Sequence, residues 1–204
     1  MKWIRVLALG PEMLRERIRS WMWGRLLRCP GLVLGAGGMI VADRRIRVGR
    51  DFRAGRGLWL AAVTHDGFRP LDPQMTLGER LSCSDNVHIA CAFSLTIGND
   101  VLIGSKVHIT DHNHGAYKGG ASQSSPDEPP TARVLSGEPV RIGDRVFLAD
   151  GVVVLPGSDI GHGVVVGANS VVRGHLPPET LCVGTPARPI KRFDRSSGTW
   201  QPLT

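Results

Sequence analysis

Ile142-Gly-Asp-Arg-Val-Phe-Leu148-Ala-Asp-Gly-Val-Val-Val154-Leu-Pro-Gly-Ser-Asp-Ile160-Gly-His-Gly-Val-Val-Val166-Gly-Ala-Asn-Ser-Val-Val172 carries an aliphatic residue at every sixth position. Gly143, Ala149, Gly161 and Gly167 follow four of those positions. A second register, four residues after each aliphatic, holds Val146, Val152, Ser158, Val164, Ser170 and Leu176. A helix repeats at 3.6 residues and a strand at two, so neither sustains a step of six. Six residues make a short flat strand and a corner. Three such units make one coil, and each aliphatic returns over its predecessor three units back. Coils then stack at about the usual inter-strand spacing of ~4.8 Å, with the aliphatics as an inner ladder. Small residues suit the corners. A single coil buries no complete face, so several must follow one another.

Working outward, the same step appears in Leu77, Cys83 and Ile89 and again in Ile97, Ile103 and Ile109, with a weaker beginning near Val48-Gly49 and Ala54-Gly55. Two interruptions stand out. Between Ile89 and Ile97 the step is eight, an insertion of two residues. Between Ile109 and Ile142 the repeat disappears, and residues 111–140 are rich in Asp, Ser, Pro, Gly and His. The segment Ser122-Gln-Ser-Ser-Pro-Asp-Glu-Pro-Pro130 cannot form a coil strand. An excursion of this length from a compact solenoid is functional or disordered. At its root stand His108, His112 and His114, three of the seven histidines. A rigid base with an open approach suits catalytic side chains.

Residues 1–30 read as helical. Pro11 opens a helix, and Met13, Leu14, Ile18, Trp21, Met22 and Leu26 recur at three- and four-residue spacing. Two readings follow: a helix packed on the main domain or on a neighbouring subunit, or a basic amphipathic helix on an anionic membrane face, helped by Trp21 and Trp23. The chain thus divides into a helical segment 1–30, a β-helix domain 31–192 with an excursion at 111–140, and a polar tail 193–204 expected to fray.

A net charge of +7 points to anionic partners. No basic-aromatic interleaving of a single-strand binder is present, which favours a phosphorylated small molecule over nucleic acid. Cys29, Cys83, Cys91 and Cys182 form no CxxC pair, so no zinc or redox motif is expected. Buried free thiols fit a reducing cytoplasm. No secretory h-region and no apolar run of ~18 residues is present, so the expected location is cytoplasmic, or peripheral at the inner membrane.

Three segments together resemble the hexapeptide-repeat acyltransferases, in the sugar O-acetyltransferase branch: the repeat Ile142–Val172; the ending Val183-Gly-Thr-Pro-Ala-Arg-Pro-Ile-Lys191, similar to a VGNPAKVIK closing motif with Thr185 for its Asn; and Asp111-His-Asn-His-Gly115, similar to a DHNHG segment of O-antigen and capsule acetyltransferases. The resemblance covers about residues 40–192. It implies an all-β, left-handed parallel β-helix and a homotrimer. It also implies acetyl-CoA as co-substrate in the groove between adjacent β-helices, a sugar or glycan acceptor in surface polysaccharide synthesis, and a histidine base five residues after the last aliphatic of a coil. From Ile109 that count gives His114, with His112 as the competing assignment. Matched positions for the donor are Ala149, Ala168, Arg173, Arg188 and Lys191; Arg173 replaces the usual Thr. His88, Asn113 and Tyr117 are candidates for acceptor binding.

The chemistry agrees. A sugar hydroxyl attacking a thioester needs a positioned base, and histidine titrates in the right range. Asp111 can fix the imidazole tautomer. No Ser or Cys stands in a nucleophile setting, which favours direct transfer. His108, His162 and His175 read as wall or surface residues. Competing readings are a γ-class carbonic anhydrase with His88, His108 and His112 or His114 on a metal, an amino-sugar N-acetyltransferase, and a non-catalytic scaffold.

Overall fold

The computed structural model describes residues 11–41, 44–119 and 123–203. The opening ten residues of the expected helical segment, Gly120–Ser122 of the excursion and Thr204 of the tail lie outside them.

The chain is a left-handed parallel β-helix of short strands, entered by one helix and closed by antiparallel strands. Three parallel sheets form its faces. On the first, β1 (Val33–Leu34), β4 (Arg53–Ala54), β7 (Ser82–Cys83), β10 (Leu102–Ile103), β15 (Phe147–Leu148), β18 (Val165–Val166) and β21 (Thr180–Gly184) stack in order. The second stacks β2 (Met39–Val41), β5 (Trp59–Ala62), β8 (His88–Cys91), β11 (His108–Thr110), β16 (Val153–Val154) and β19 (Val171–Val172). The third stacks β3 (Ile46–Val48), β6 (Gln74–Leu77), β9 (Ser94–Ile97), β14 (Val140–Ile142), β17 (Asp159–Ile160) and β20 (His175–Leu176).

The ladder predicted from the six-residue step is present in the register. Cys83, Ile103, Leu148, Val166 and Cys182 are stacked on the first face, and Leu60, Ile89, Ile109, Val154 and Val172 on the second. Leu77, Ile97, Ile142, Ile160 and Leu176 stack on the third. Nearly all are fully buried, each contributing about 1.5–3 kcal/mol. Leu176 therefore belongs to the ladder, not to the second register, because the last coil is two residues short. The weak beginning is two full coils, disguised by a second excursion between Ala62 and Gln74.

The corners work differently from the sequence expectation. The left-handed backbone residue lies three positions after each ladder residue: Arg145 (φ 55), Gly151 (φ 71), Gly157 (φ 78), Gly163 (φ 66) and Asn169 (φ 57). The small residue directly after the ladder position answers a different need, the close approach of the next coil. A Cβ on Gly143 would lie 2.7 Å from the His162 backbone nitrogen, and one on Gly161 2.6 Å from that of Pro178. Side chains also knit the corners. Asp144 Oδ1 accepts from Asn99 N (2.7 Å) and Asp150 Oδ1 from Ser105 N (2.6 Å), one coil to the next.

Helix α1 (Pro11–Leu26) docks on the edge of β1. Ser20 Oγ accepts from Leu34 N (2.9 Å) and Arg19 Nη2 donates to Leu34 O (3.0 Å). The residues turned to the body are Glu16, Ser20, Trp23 and Gly24, followed by Leu27. Of the placements left open for the apolar stripe, packing on this chain's own domain fails: Leu14, Ile18, Trp21, Met22 and Leu26 are all exposed. The tail corrects a second expectation. Instead of fraying, β22 (Ala187–Asp194) and β23 (Thr199–Pro202) extend the first face as antiparallel strands. Alternation in a tail so polar is weak, and Phe193 packing edge-on to Trp200 was its one apolar sign. All four cysteines are buried free thiols.

Candidate active site

The two interruptions of the repeat meet at one carboxylate. Asp111 follows β11, where the chain leaves the coil, and its side chain is fully buried. The inserted residues after β8 bend the backbone so that three successive N–H groups face it. Ala92 N donates to Oδ1 (2.8 Å); Phe93 N and Ser94 N donate to Oδ2 (2.8 and 2.7 Å), and the Cys91 thiol adds a longer contact at 3.3 Å. His112 Nδ1 completes the set at 2.9 Å from Oδ1. Burial pushes the Asp111 carboxyl up, but the hydrogen bonds from His112, Ala92, Phe93 and Cys91 outweigh it and hold the group below the usual carboxylate range. Burial beside that charge pushes the Cys91 thiol far up, so Cys91 is a donor and not a nucleophile.

An ionised carboxylate only accepts, so His112 Nδ1 must carry a proton, and in the neutral ring that leaves Nε2 as the acceptor. The His112 side chain keeps 13% of its surface, enough to be reached. His114 differs. It ends β12 (His112–His114), which pairs antiparallel with β13 (Leu135–Gly137), and its side chain is exposed without a hydrogen-bond partner among the described residues. Asp111, expected to orient the His114 imidazole, thus orients His112. Alternation does not separate them, since both sit at even positions of one strand; His112 is held because it stands next to Asp111 at the root of β12, two residues nearer the coil than His114.

The return strand is fitted closely. A Cβ on Gly137 would lie 2.2 Å from the Asp111 carbonyl oxygen and 2.4 Å from Phe93 Cδ2. Leu135, Ala92 and Leu71 form a small buried cluster beneath, and Arg69 from the second-coil excursion donates to Leu135 O (3.3 Å). Arg69 had no signal of its own, lying in the excursion after Ala62; Ala92, Phe93 and Ser94 escaped the reading of single residues because what they contribute to Asp111 is backbone. The eight-residue step between Ile89 and Ile97 was their signal.

Asn113, Tyr117 and Arg173 line one cleft of about 590 Å³, together with Leu155, Pro156 and Gly157. The Tyr117 hydroxyl donates to the His114 carbonyl and accepts from Arg133 Nη1 (2.8 Å), so it also ties the excursion together. His88 lies on the second face, stacked on Trp59 (centroids 4.2 Å apart) and 3.1 Å from His108, Nδ1 to Nδ1. The two rings therefore touch each other. Among the described residues no three His, Cys, Asp or Glu side chains are grouped to hold a metal ion.

The five residues matched to the donor do not form one site in one chain. Ala149 and Ala168 sit at the corner from the first face to the second, and Arg188 and Lys191 on β22 beside it. Arg173 follows β19 at the next corner, across the width of the second face. Arg173, Arg188 and Lys191 are exposed.

Residues 139–174 match the model of the "Bacterial transferase hexapeptide (six repeats)" family. The chain is 45% identical over 159 residues to the putative lipopolysaccharide biosynthesis O-acetyl transferase WbbJ of Escherichia coli (strain K12), covering 78% of each. It belongs to the hexapeptide-repeat acetyltransferases. Another member, the putative colanic acid biosynthesis acetyltransferase WcaF of the same strain, is 33% identical over 118 residues, 58% of each chain. Among solved members, a hexapeptide-repeat acetyltransferase of Vibrio cholerae O1 biovar eltor, crystallised with acetyl-CoA, matches at a TM-score of 0.55 and 25% identity, over 88% of this chain and 78% of its own. The WbbJ match carries the membership, since it spans most of both proteins.

Proposed function

We propose that this acetyltransferase moves an acetyl group from acetyl-CoA to a hydroxyl of a sugar destined for surface polysaccharide, with His112 as general base. The observation that carries it is the Asp111–His112 pair: a buried carboxylate holds Nδ1, and the imidazole keeps exposed surface next to Asn113, which lines a cleft of about 590 Å³. WbbJ and WcaF are named for lipopolysaccharide and colanic acid, and the V. cholerae member was crystallised with acetyl-CoA; both supply the substrate classes. In the step proposed, Nε2 takes the hydroxyl proton as the oxygen attacks the thioester carbon. The C–S bond then breaks and the imidazolium returns the proton to the sulfur, so that ester and free CoA leave and the histidine is neutral again. Asp111 stabilises the imidazolium from the other side. Asn113 and Tyr117 are assigned to the acceptor; Ala149 and Ala168 leave room for the donor's arm, and Arg188 and Lys191 meet its phosphates.

A homotrimer is the assembly we assign to this arrangement. The outer second face carries Met39, Trp59, Val153 and Val171 around His88 and His108, and the first Val33, Leu102, Phe147 and Val165 around Arg53 and Ser82, so both are largely apolar, whereas the third carries Arg47, Thr76, Thr96, Arg141 and Asp159. Two adjacent apolar faces on a one-way solenoid suit a heterologous contact that closes on itself. Such a contact brings the donor corner of one chain towards the His112 corner of the next. Buried thiols fit a cytoplasmic setting. The test is thiol release from acetyl-CoA with glycan acceptors. His112→Ala is expected to lose about 10²–10⁴-fold in kcat and His114→Ala to lose far less; full activity in His112→Ala sinks the assignment.

A further inference from the structure

We propose that the outer face of α1 seats this protein on an anionic membrane surface. Three observations carry it. First, the helix is docked by Ser20, Trp23 and Gly24, which leaves its main apolar stripe outside. At ~100° per residue, Trp21, Leu14, Ile18, Met22 and Leu26 cover an arc of roughly 140° opposite Ser20. Each is half or more exposed, from 50% for Ile18 to 69% for Leu26.

Second, the basic residues surround that arc. Arg15 and Arg25 lie within it and Arg17 beside it, against Glu12 and Glu16, while Arg19 is turned to Leu34 and Arg28 lies just past the helix end. The Arg25 guanidinium sits 4.9 Å from the Trp21 ring centre, a pairing suited to a headgroup region. An open cleft of about 1160 Å³ runs between the helix and the first coil, walled by Met13, Trp21, Leu32 and Val33 and lined by Arg17, Arg25 and Arg28. It has room for part of a lipid and charge for its phosphate.

Third, the charge of the whole molecule is polarised towards this end. Residues 11–56 hold eleven arginines against four acids, a net +7, whereas residues 57–204 hold twelve basic residues against fourteen acids, a net −2. A second copy laid on this face meets the same positive field and is repelled; an anionic bilayer is attracted. An amphipathic helix with aromatic and aliphatic residues on one side and arginines around them lies in an interface, with the apolar side in the acyl boundary.

The test is co-sedimentation of the full chain with phosphatidylcholine vesicles, with and without about one third phosphatidylglycerol. Binding is expected only with the anionic lipid, and it should fall about tenfold or more when salt shortens the Debye length from ~10 Å towards ~3 Å. Ile18→Glu with Met22→Glu, and separately Arg15→Glu with Arg25→Glu, are each expected to lower the partition coefficient about tenfold or more. Activity on a water-soluble acceptor should stay unchanged, because neither pair touches the catalytic corner. Equal partitioning into both vesicle types overturns the proposal. So does loss in the arginine variant alone, which marks a general polyanion surface. A changed oligomeric mass in the Ile18/Met22 variant also overturns it, since a copy of the chain then covers the face.

Discussion

Asp111 is one residue with five donors, two of them side chains. Substituting Asn keeps the shape but replaces one acceptor oxygen by an NH₂ facing N–H groups, and it no longer compels the proton onto His112 Nδ1. We expect Asp111→Asn to lower kcat roughly 10²–10⁴-fold with a small change in KM, and to lower Tm as well because buried donors lose partners. A matched fall in KM and kcat, measured by acetyl-CoA turnover, contradicts the orienting role. At this scale the sequence was partly legible. The cluster of His108, His112 and His114 pointed to the candidate site, and the excursion at Ile109 to its root. Which histidine is held was not readable from counting, since it depends on the peptide groups of Ala92, Phe93 and Ser94 one coil below.

At the scale of the element, the second face carries a row of rings from Trp59 through His88 to His108. Burial, and next to it the neighbouring histidines, push both imidazoles below their ordinary value. The sign follows. Unfolded histidine binds its proton near pH ~6.5 while the folded pair still resists, so stability is full above that range and falls as pH drops through it. Denaturant midpoints at pH 8 and pH 5.5 are expected to differ less in His88→Phe, which keeps a ring against Trp59 but has nothing to protonate. An unchanged difference refutes the account. The strands themselves were the most legible part of the chain, because a six-residue step admits few other readings. The excursion after Ala62 was not legible. It falls where the repeat is weakest, with Ala54 at a ladder position in place of a larger aliphatic. The hairpin of β22 and β23 was missed for a similar reason: its pairing depends on the sheet edge it joins.

For the whole molecule, the outer faces argue that one chain is an incomplete enzyme. Apart from Arg173, the positions proposed for the donor and His112 sit on separate corners, divided by the second face. Phe147→Glu, on the outside of the first face, is expected to lower the mass in solution from trimer to monomer by light scattering, and to abolish turnover with the Asp111–His112 pair intact. A trimer that persists with full activity refutes the arrangement.

The closing strands also decide what the solenoid does at its ends. A stack of parallel coils is open at both ends, and each open end is a row of unsatisfied N–H and C=O groups able to recruit another chain. Here α1 blocks the first strand of the first face, and β22 and β23 run antiparallel over the last, so a further coil has no parallel template there. The edges left bare, β2, β3, β19 and β20, are two or three residues long. The same hexapeptide logic that makes each coil a landing site for the next is stopped by a change of strand direction, and that keeps a repeating fold from growing into a fibre.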